Sequence, residues 1–149
     1  MRFVVAGTQE FITHCVAGIT ESGCEVAAFV SIPENLRPNN SIDTLSFAVE
    51  KSIRYHEVED INSEDSLALI GGYEPDYLLV SWPRLLKQEA LDLAKYCSIG
   101  THATALPLNR GRHSIHWSTA LGIPETKLSF FNIDLGVDTG DLLLQVPIS

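Results

Sequence analysis

The sequence has few of the features that mark secreted, metal-binding or membrane proteins. Its three cysteines are widely spaced and odd in number, which fits reduced thiols better than a disulfide framework. No Cys-x-x-Cys pair occurs, and His113 and His116 have no third ligand near them, so no metal site is expected. The apolar runs are far shorter than the roughly 20 residues that span a bilayer, and residues 1–7 resemble a core strand more than a signal peptide. We therefore expect a cytoplasmic protein that does not enter the membrane.

Basic residues are also scarce. Ten lysines and arginines stand against 19 acidic residues, which gives a formal net charge of −9. A broad nucleic-acid surface needs clustered cations, and here the basic residues are scattered except for Arg110 and Arg112. The charge therefore argues against tRNA as a substrate unless a basic domain lies elsewhere. We expect a small-molecule substrate and no nucleic-acid partner.

Two common catalytic or cofactor-binding motifs are absent. The dinucleotide fingerprint needs three glycines after the first strand, and only Gly7 is present, so an NAD site is not expected. The Gly-x-Ser-x-Gly elbow that would present a nucleophilic serine is missing as well, which argues against such a role for Ser81 or Ser118.

Strands and helices alternate along the chain, which has the length of one domain. The pattern predicts strands over 2–6, 25–31, 53–58, 77–81, 97–101, 127–133 and 142–148. It predicts helices over 9–21, 42–51, from 62 or 63 to 69, from after residue 84 to about 95, and from about 112 to 121. This order is typical of an α/β protein with a Rossmann-like, mostly parallel sheet and helices on both faces. We expect the third strand near a sheet edge and the last two strands antiparallel.

His102 is the strongest candidate for chemistry, although a lone histidine after a strand is usually structural. It lies at the expected carboxyl end of a strand, where open α/β sheets bind ligands. A loop with Arg110 and Arg112 follows it, and a second polar loop runs over residues 134–141. Aspartates in such loops often bond their own backbone, and we expect Asp141 to hold this turn.

The stretch Gly100-Thr-His-Ala-Thr-Ala-Leu-Pro-Leu-Asn-Arg-Gly-Arg112, with Leu135-Gly-Val-Asp-Thr-Gly-Asp141, resembles the signature of the folate-dependent formyltransferases. That signature reads Asn-x-His-x-Ser-Leu-Leu-Pro-x-x-Arg-Gly, followed by a loop ending in Asp-x-Gly. The segment from Arg110 to Trp117 is most similar to the sugar N-formyltransferases. The resemblance implies transfer of a formyl group from N10-formyltetrahydrofolate to an amino sugar carried on a nucleotide.

The resemblance also implies roles for particular residues. His102 and Asp138 would form the catalytic pair, and no metal would take part. The folate would be bound by Trp82, Pro83, Arg84, Arg112, Asp134 and Gly136. Related enzymes are often dimers, which leaves a homodimer open. Their catalytic domains usually continue beyond the equivalent of residue 149, so the chain is either a short form or a fragment.

One departure from the signature bears directly on activity, because Gly100 stands where the family has asparagine. The family asparagine donates a hydrogen bond to the oxyanion, and loss of such a donor costs on the order of a hundred- to a thousandfold in turnover. Thr101, Asn109 or a backbone N–H is a candidate substitute. Two alternatives stay open: a non-catalytic protein that binds folate or nucleotide, and a hydrolase that transfers the formyl group to water.

Overall fold

The computed structural model describes residues 1–148, which form two compact units. The first unit runs from Met1 to Ser98 and the second begins at Ile99. The strands are β1 (Arg2–Gly7), β2 (Glu25–Ser31), β3 (Arg54–Glu57), β4 (Tyr77–Ser81), β5 (Cys97–His102), β6 (Thr126–Asn132) and β7 (Leu142–Ile148). The helices are α1 (Glu10–Glu21), α2 (Thr44–Glu50), α3 (Glu64–Gly71), α4 (Gln88–Leu91) and α5 (Ser114–Ala120), with a 3₁₀ turn at Glu34–Leu36.

The first unit is built on parallel strands. β1 pairs with β2 on one side and with β4 on the other, and β3 pairs with the outer side of β2. Val4, Val5 and Ala6 of β1 are all fully buried, although neighbouring side chains point to opposite faces of the sheet. Both faces of the central strand are therefore covered, as is usual in parallel sheets. The predicted edge position of the third strand is confirmed.

Two helices of the first unit, α2 and α3, begin at side chains that bond their free N–H groups. Ser63 accepts a hydrogen bond from the N–H of Ser66 at the start of α3, and Asp43 accepts one from Ser46 at the start of α2. The hydroxyl and the N–H of Ser46 donate to the Asp43 carboxylate and lower its pKa. Gly23, with φ of +79°, follows the end of α1 as the sequence predicts.

One predicted helix is much shorter than expected. The sequence predicts a helix that follows residue 84 and runs to about 95, whereas α4 covers only Gln88–Leu91. After α4 the chain bonds to the segment before β4: the N–H of Lys95 donates to the Pro75 carbonyl and that of Tyr96 to the Asp76 carbonyl. These bonds replace the helical ones and lead the chain into β5.

The second unit is an antiparallel arrangement of β5, β6 and β7. Gly100 lies opposite Phe131 and His102 opposite Ser129 in the β5–β6 pair, and Phe130 lies opposite Leu144 in the β6–β7 pair. The antiparallel pairing predicted for the last two strands is confirmed. Within residues 1–148, no helix is long and apolar enough to span a membrane.

The three cysteines are free thiols. Burial raises the pKa of Cys97, and it raises the pKa of Cys15 to about 11 from an ordinary value of 9.0. Because burial favours the neutral thiol, each of these two cysteines keeps its proton to a higher pH in the folded state than in the unfolded state. The contribution of the neutral Cys15 thiol to the free energy of unfolding is complete below about pH 9. It is lost as the pH rises towards 11.

We predict that folded Cys15 resists alkylation at pH 8. A pKa of about 11 leaves it about a hundredfold less thiolate than an ordinary cysteine, and the thiolate is the reacting species. Peptide mass spectrometry after timed iodoacetamide treatment measures the rate, with the urea-unfolded protein as the control. Equal rates in the two states would contradict the burial argument.

Candidate functional site

His102 is the last residue of β5, where the chain leaves the sheet. Its side chain is 9% exposed, and its cross-strand neighbour is Ser129 of β6. The histidine therefore stands at the end of its strand, as predicted, and is largely screened from solvent.

The loop that follows His102 is held down by two polar side chains of β6 and β7. The Ser129 hydroxyl donates to the Thr104 carbonyl at 2.6 Å and accepts from the N–H of Leu106 at 3.3 Å. The Gln145 amide donates to the Leu106 carbonyl and to Ser129 Oγ, both at 2.9 Å. These bonds satisfy buried backbone groups and fix the path of the loop.

Both nitrogens of the His102 ring face oxygen atoms. Nδ1 lies 3.6 Å from Oδ2 of Asp138, and Nε2 lies 2.9 Å from the backbone carbonyl of Asn109. A carbonyl can only accept, so Nε2 carries a proton. The ring is therefore held between a backbone carbonyl on one side and a carboxylate on the other.

A backbone N–H and an arginine side chain of the loop after β5 position Asp138. Its Oδ2 accepts from the N–H of Gly111 at 2.8 Å, and its carbonyl accepts from Nε of Arg110 at 3.0 Å. Asp138 has a φ of +53°, in the left-handed region that aspartate tolerates better than most residues. The structure thus brings His102 and Asp138 together through the loop that lies between them in the sequence.

The 134–141 loop is held by Asp134. Its Oδ1 accepts from the N–H of Gly136 at 3.0 Å and from the Thr139 hydroxyl at 2.6 Å. A Cβ at Gly136 would collide with the Thr139 side chain, so the closed loop requires glycine there. Asp141, which was expected to hold the turn, takes part through its backbone carbonyl, which accepts from the N–H of Asn132. Within residues 1–148, its side chain makes no hydrogen bond in the turn.

The remaining residues of the predicted folate site lie near the surface. Arg112 is exposed, and its side chain has no bonded partner among residues 1–148. In the first unit, Trp82 is half-buried directly after β4, and Pro83 and Arg84 are exposed. No group of three His, Cys, Asp or Glu side chains that could hold a metal ion is found in the described part of the chain.

Gly100 lies beneath a large side chain that the sequence analysis missed. A Cβ at position 100 would lie 2.9 Å from Cζ of Phe131 and 2.9 Å from Cγ1 of Ile133. Phe131 is the cross-strand partner of Gly100 and is 4% exposed, so its ring fills the space that a side chain would take. A glycine inside a strand often marks a place where another group comes close to the backbone. That signal could have indicated that a large side chain packs on Gly100.

We predict that Gly100→Ala destabilises the protein by about 1–3 kcal/mol, since the added methyl group overpacks a filled site. Urea denaturation measures the change in the free energy of unfolding. The double variant Gly100→Ala/Phe131→Leu should cost less than the sum of the two single changes, because the smaller side chain makes room. Full additivity in this double-mutant cycle would show that the two positions do not compete for space.

The chain matches a known family along its whole length. The family model for formyl transferase matches residues 1–149. The methionyl-tRNA formyltransferase of Caldanaerobacter subterraneus subsp. tengcongensis is 31% identical over 155 residues, which cover 100% of this chain and 50% of that protein. The chain thus spans about half the length of the curated relatives it matches.

Solved structures share the fold at low sequence identity. A phosphoribosylglycinamide formyltransferase from Bacillus halodurans matches with a TM-score of 0.80 and 17% identity, over 100% of this chain and 80% of that chain. A formyltetrahydrofolate deformylase from Pseudomonas syringae pv. tomato matches with a TM-score of 0.77 and 21% identity, over 99% of this chain and 50% of that chain. These matches confirm the predicted α/β, formyltransferase-like fold.

Proposed function

The chain belongs to the formyl transferase family, and we propose that it carries the catalytic site of an N-formyltransferase. The family uses N10-formyltetrahydrofolate as co-substrate. The observation that carries the proposal is the pairing of His102 Nδ1 with the Asp138 carboxylate at 3.6 Å. Both residues stand at the positions of the family signature, and the pair is largely buried.

The chemistry of formyl transfer accounts for both residues. Attack of an amine nitrogen on the formyl carbon forms a new C–N bond and moves the carbonyl electron pair onto oxygen. Collapse of that oxyanion breaks the bond to the folate nitrogen. The attacking amine loses a proton and the departing nitrogen gains one, a transfer that the His102 imidazole is suited to perform. The Asp138 carboxylate stabilises the charged ring and holds its orientation.

The folate-binding part of the proposal rests on the family resemblance and on exposed groups near the pair. Leu135 and Val137 are 64% and 49% exposed on the 134–141 loop, where they offer apolar surface to a flat ring. Arg112 has a guanidinium without a partner in the described residues, which suits the carboxylates of a folate. We assign folate binding to Trp82, Pro83, Arg84, Arg112, Asp134 and Gly136.

For the acceptor, we propose an amino sugar linked to a nucleotide. The resemblance of Arg110 to Trp117 to the sugar N-formyltransferases supports this choice. Several relatives act on methionyl-tRNA according to their names, but a net charge of −9 is unfavourable for holding a tRNA backbone. A small acceptor avoids that repulsion.

We predict that His102→Ala lowers formyl transfer by about 10²–10⁴-fold, the usual contribution of a general acid–base group. The assay follows tetrahydrofolate release from N10-formyltetrahydrofolate with amino sugar nucleotides, and in parallel with methionyl-tRNA. His14→Ala, on the exposed face of α1, is the matched control and should retain full activity. Activity of His102→Ala within a few-fold of wild type would rule out the proposed role.

The same assay separates the alternatives. Formate released without any amine would indicate a hydrolase, the activity for which the Pseudomonas syringae relative is named. Saturable folate binding without turnover by any acceptor would indicate a non-catalytic binding protein. Transfer to methionyl-tRNA in preference to amino sugars would replace the proposed acceptor and keep the proposed chemistry.

We also predict that Arg112→Ala/Asp138→Ala abolishes binding of 5-formyltetrahydrofolate, because it removes a cation for the ligand and the anchor of the loop. Isothermal titration calorimetry measures the dissociation constant. Arg54→Ala, which removes an exposed arginine of β3, should bind as wild type does. Unchanged affinity in the double variant would place the folate elsewhere.

A further inference from the structure

We propose that Gln145 of β7 is a positioning residue for His102. Its side-chain amide holds the loop after β5, and a backbone carbonyl of that loop holds the imidazole ring. Gln145 acts in this way on the ring and not on the substrate. The effect on turnover rests on the proposed function, because the orientation of the ring matters for formyl transfer only if His102 moves the proton.

Gln145 is the one polar and the one half-buried residue of β7. The strand reads Leu-Leu-Leu-Gln-Val-Pro-Ile, and its six apolar residues are exposed. This arrangement inverts the usual one, in which apolar side chains are buried and polar side chains face water. Withdrawing an amide from water costs free energy unless its N–H groups are bonded, so packing alone does not account for a glutamine at this position. Its hydrogen bonds to the loop after β5 do.

The Gln145 amide reaches the loop directly and through Ser129, its cross-strand partner. Nε2 donates to the Leu106 carbonyl and to Ser129 Oγ, both at 2.9 Å. The Ser129 hydroxyl in turn donates to the Thr104 carbonyl at 2.6 Å. Leu106 is 5% exposed, and Ser129 and Thr104 are fully buried, so water cannot easily replace the bonds that the amide makes.

The segment held by these bonds ends next to the carbonyl that contacts the ring. Thr104 Oγ1 donates to the Leu108 carbonyl at 2.8 Å, which fixes the peptide group that leads into Asn109. The Asn109 carbonyl accepts from Nε2 of His102 at 2.9 Å. A run of hydrogen bonds and short backbone links therefore connects the Gln145 amide to the His102 ring.

The Asn109 carbonyl is the closer of the two groups that face the His102 ring. Its 2.9 Å contact with Nε2 is within hydrogen-bond distance, whereas Asp138 Oδ2 lies 3.6 Å from Nδ1, beyond that distance. The orientation of the ring therefore depends on where the loop places the Asn109 carbonyl. A displacement of about 1 Å at a reacting group can lower a rate on the order of 10²-fold. Loss of the Gln145 amide should slow formyl transfer in this way.

Two variants remove the amide donors and keep the strand. Gln145→Met has a similar length and no N–H, and Gln145→Glu keeps the shape but, when ionised, can only accept a hydrogen bond. Each should lower kcat by about 10–100-fold, while the KM for N10-formyltetrahydrofolate changes little. Gln88→Met removes an exposed amide that bonds to Asp92 in the first unit and is the matched control.

The His102 ring supplies a measurement that needs no turnover. With ¹⁵N-labelled histidine, the Nε2–H signal is identified by its absence from His102→Ala. In wild type it should exchange slowly with water, because the proton is bonded and the side chain is 9% exposed. In both Gln145 variants it should shift and exchange faster, well below the melting temperature. A merely structural role would lower the melting temperature and leave the signal of the folded protein unchanged.

The outcomes separate this role from the proposed function. If both variants keep kcat within a few-fold of wild type, or lose kcat while the ring signal stays as in wild type, Gln145 does not position His102 and the proposed function stands. If wild type transfers no formyl group to any acceptor, the proposed function fails and the ring signal decides alone. An unchanged signal in the variants then overturns the role, and a shifted signal that exchanges faster supports the positioning of the ring.

Discussion

A single oxygen atom joins the parts of the candidate site. Oδ2 of Asp138 accepts a hydrogen bond from the N–H of Gly111 and faces Nδ1 of His102. The end of β5 and the loop that follows it thereby meet the 134–141 loop, which is distant from both in sequence. Without that carboxylate the Gly111 N–H would lose its partner, and the ring would be held only through the Asn109 carbonyl.

The pairing of β5 with β6 sets a second constraint. The register that places His102 opposite Ser129 also places Gly100 opposite Phe131, whose ring occupies the space above the glycine. A side chain at position 100 therefore competes directly with an aromatic side chain of the core. The packing of this sheet leaves no room at Gly100 for the asparagine of the family signature. Replacing Gly100 by asparagine alone would add volume to a filled site.

Local sequence patterns predicted most of the fold because each strand and helix carries its own signal. Tyr77–Ser81 and Leu142–Ile148 match the predicted strands residue for residue. The helix after residue 84 was overestimated because bonds from Lys95 and Tyr96 to an earlier segment end it, and no local pattern reports them. In the candidate site, the sequence indicated His102 because this residue directly follows a predicted strand. Asp138 was chosen among three aspartates only by resemblance, and the roles of Ser129 and Gln145 depend on long-range pairing that the sequence does not reveal.

The bonds that hold His102 and Asp138 use the backbone more than the side chains of the loop after β5. The ring bonds to the carbonyl of residue 109, and the carboxylate bonds to the N–H of residue 111. Neither bond depends on which side chain stands at those positions, provided that the backbone reaches its positive φ. An exposed side chain such as Leu108 can therefore change while the pair keeps its geometry. The geometry of the pair and the side chains that the loop exposes therefore depend on different atoms.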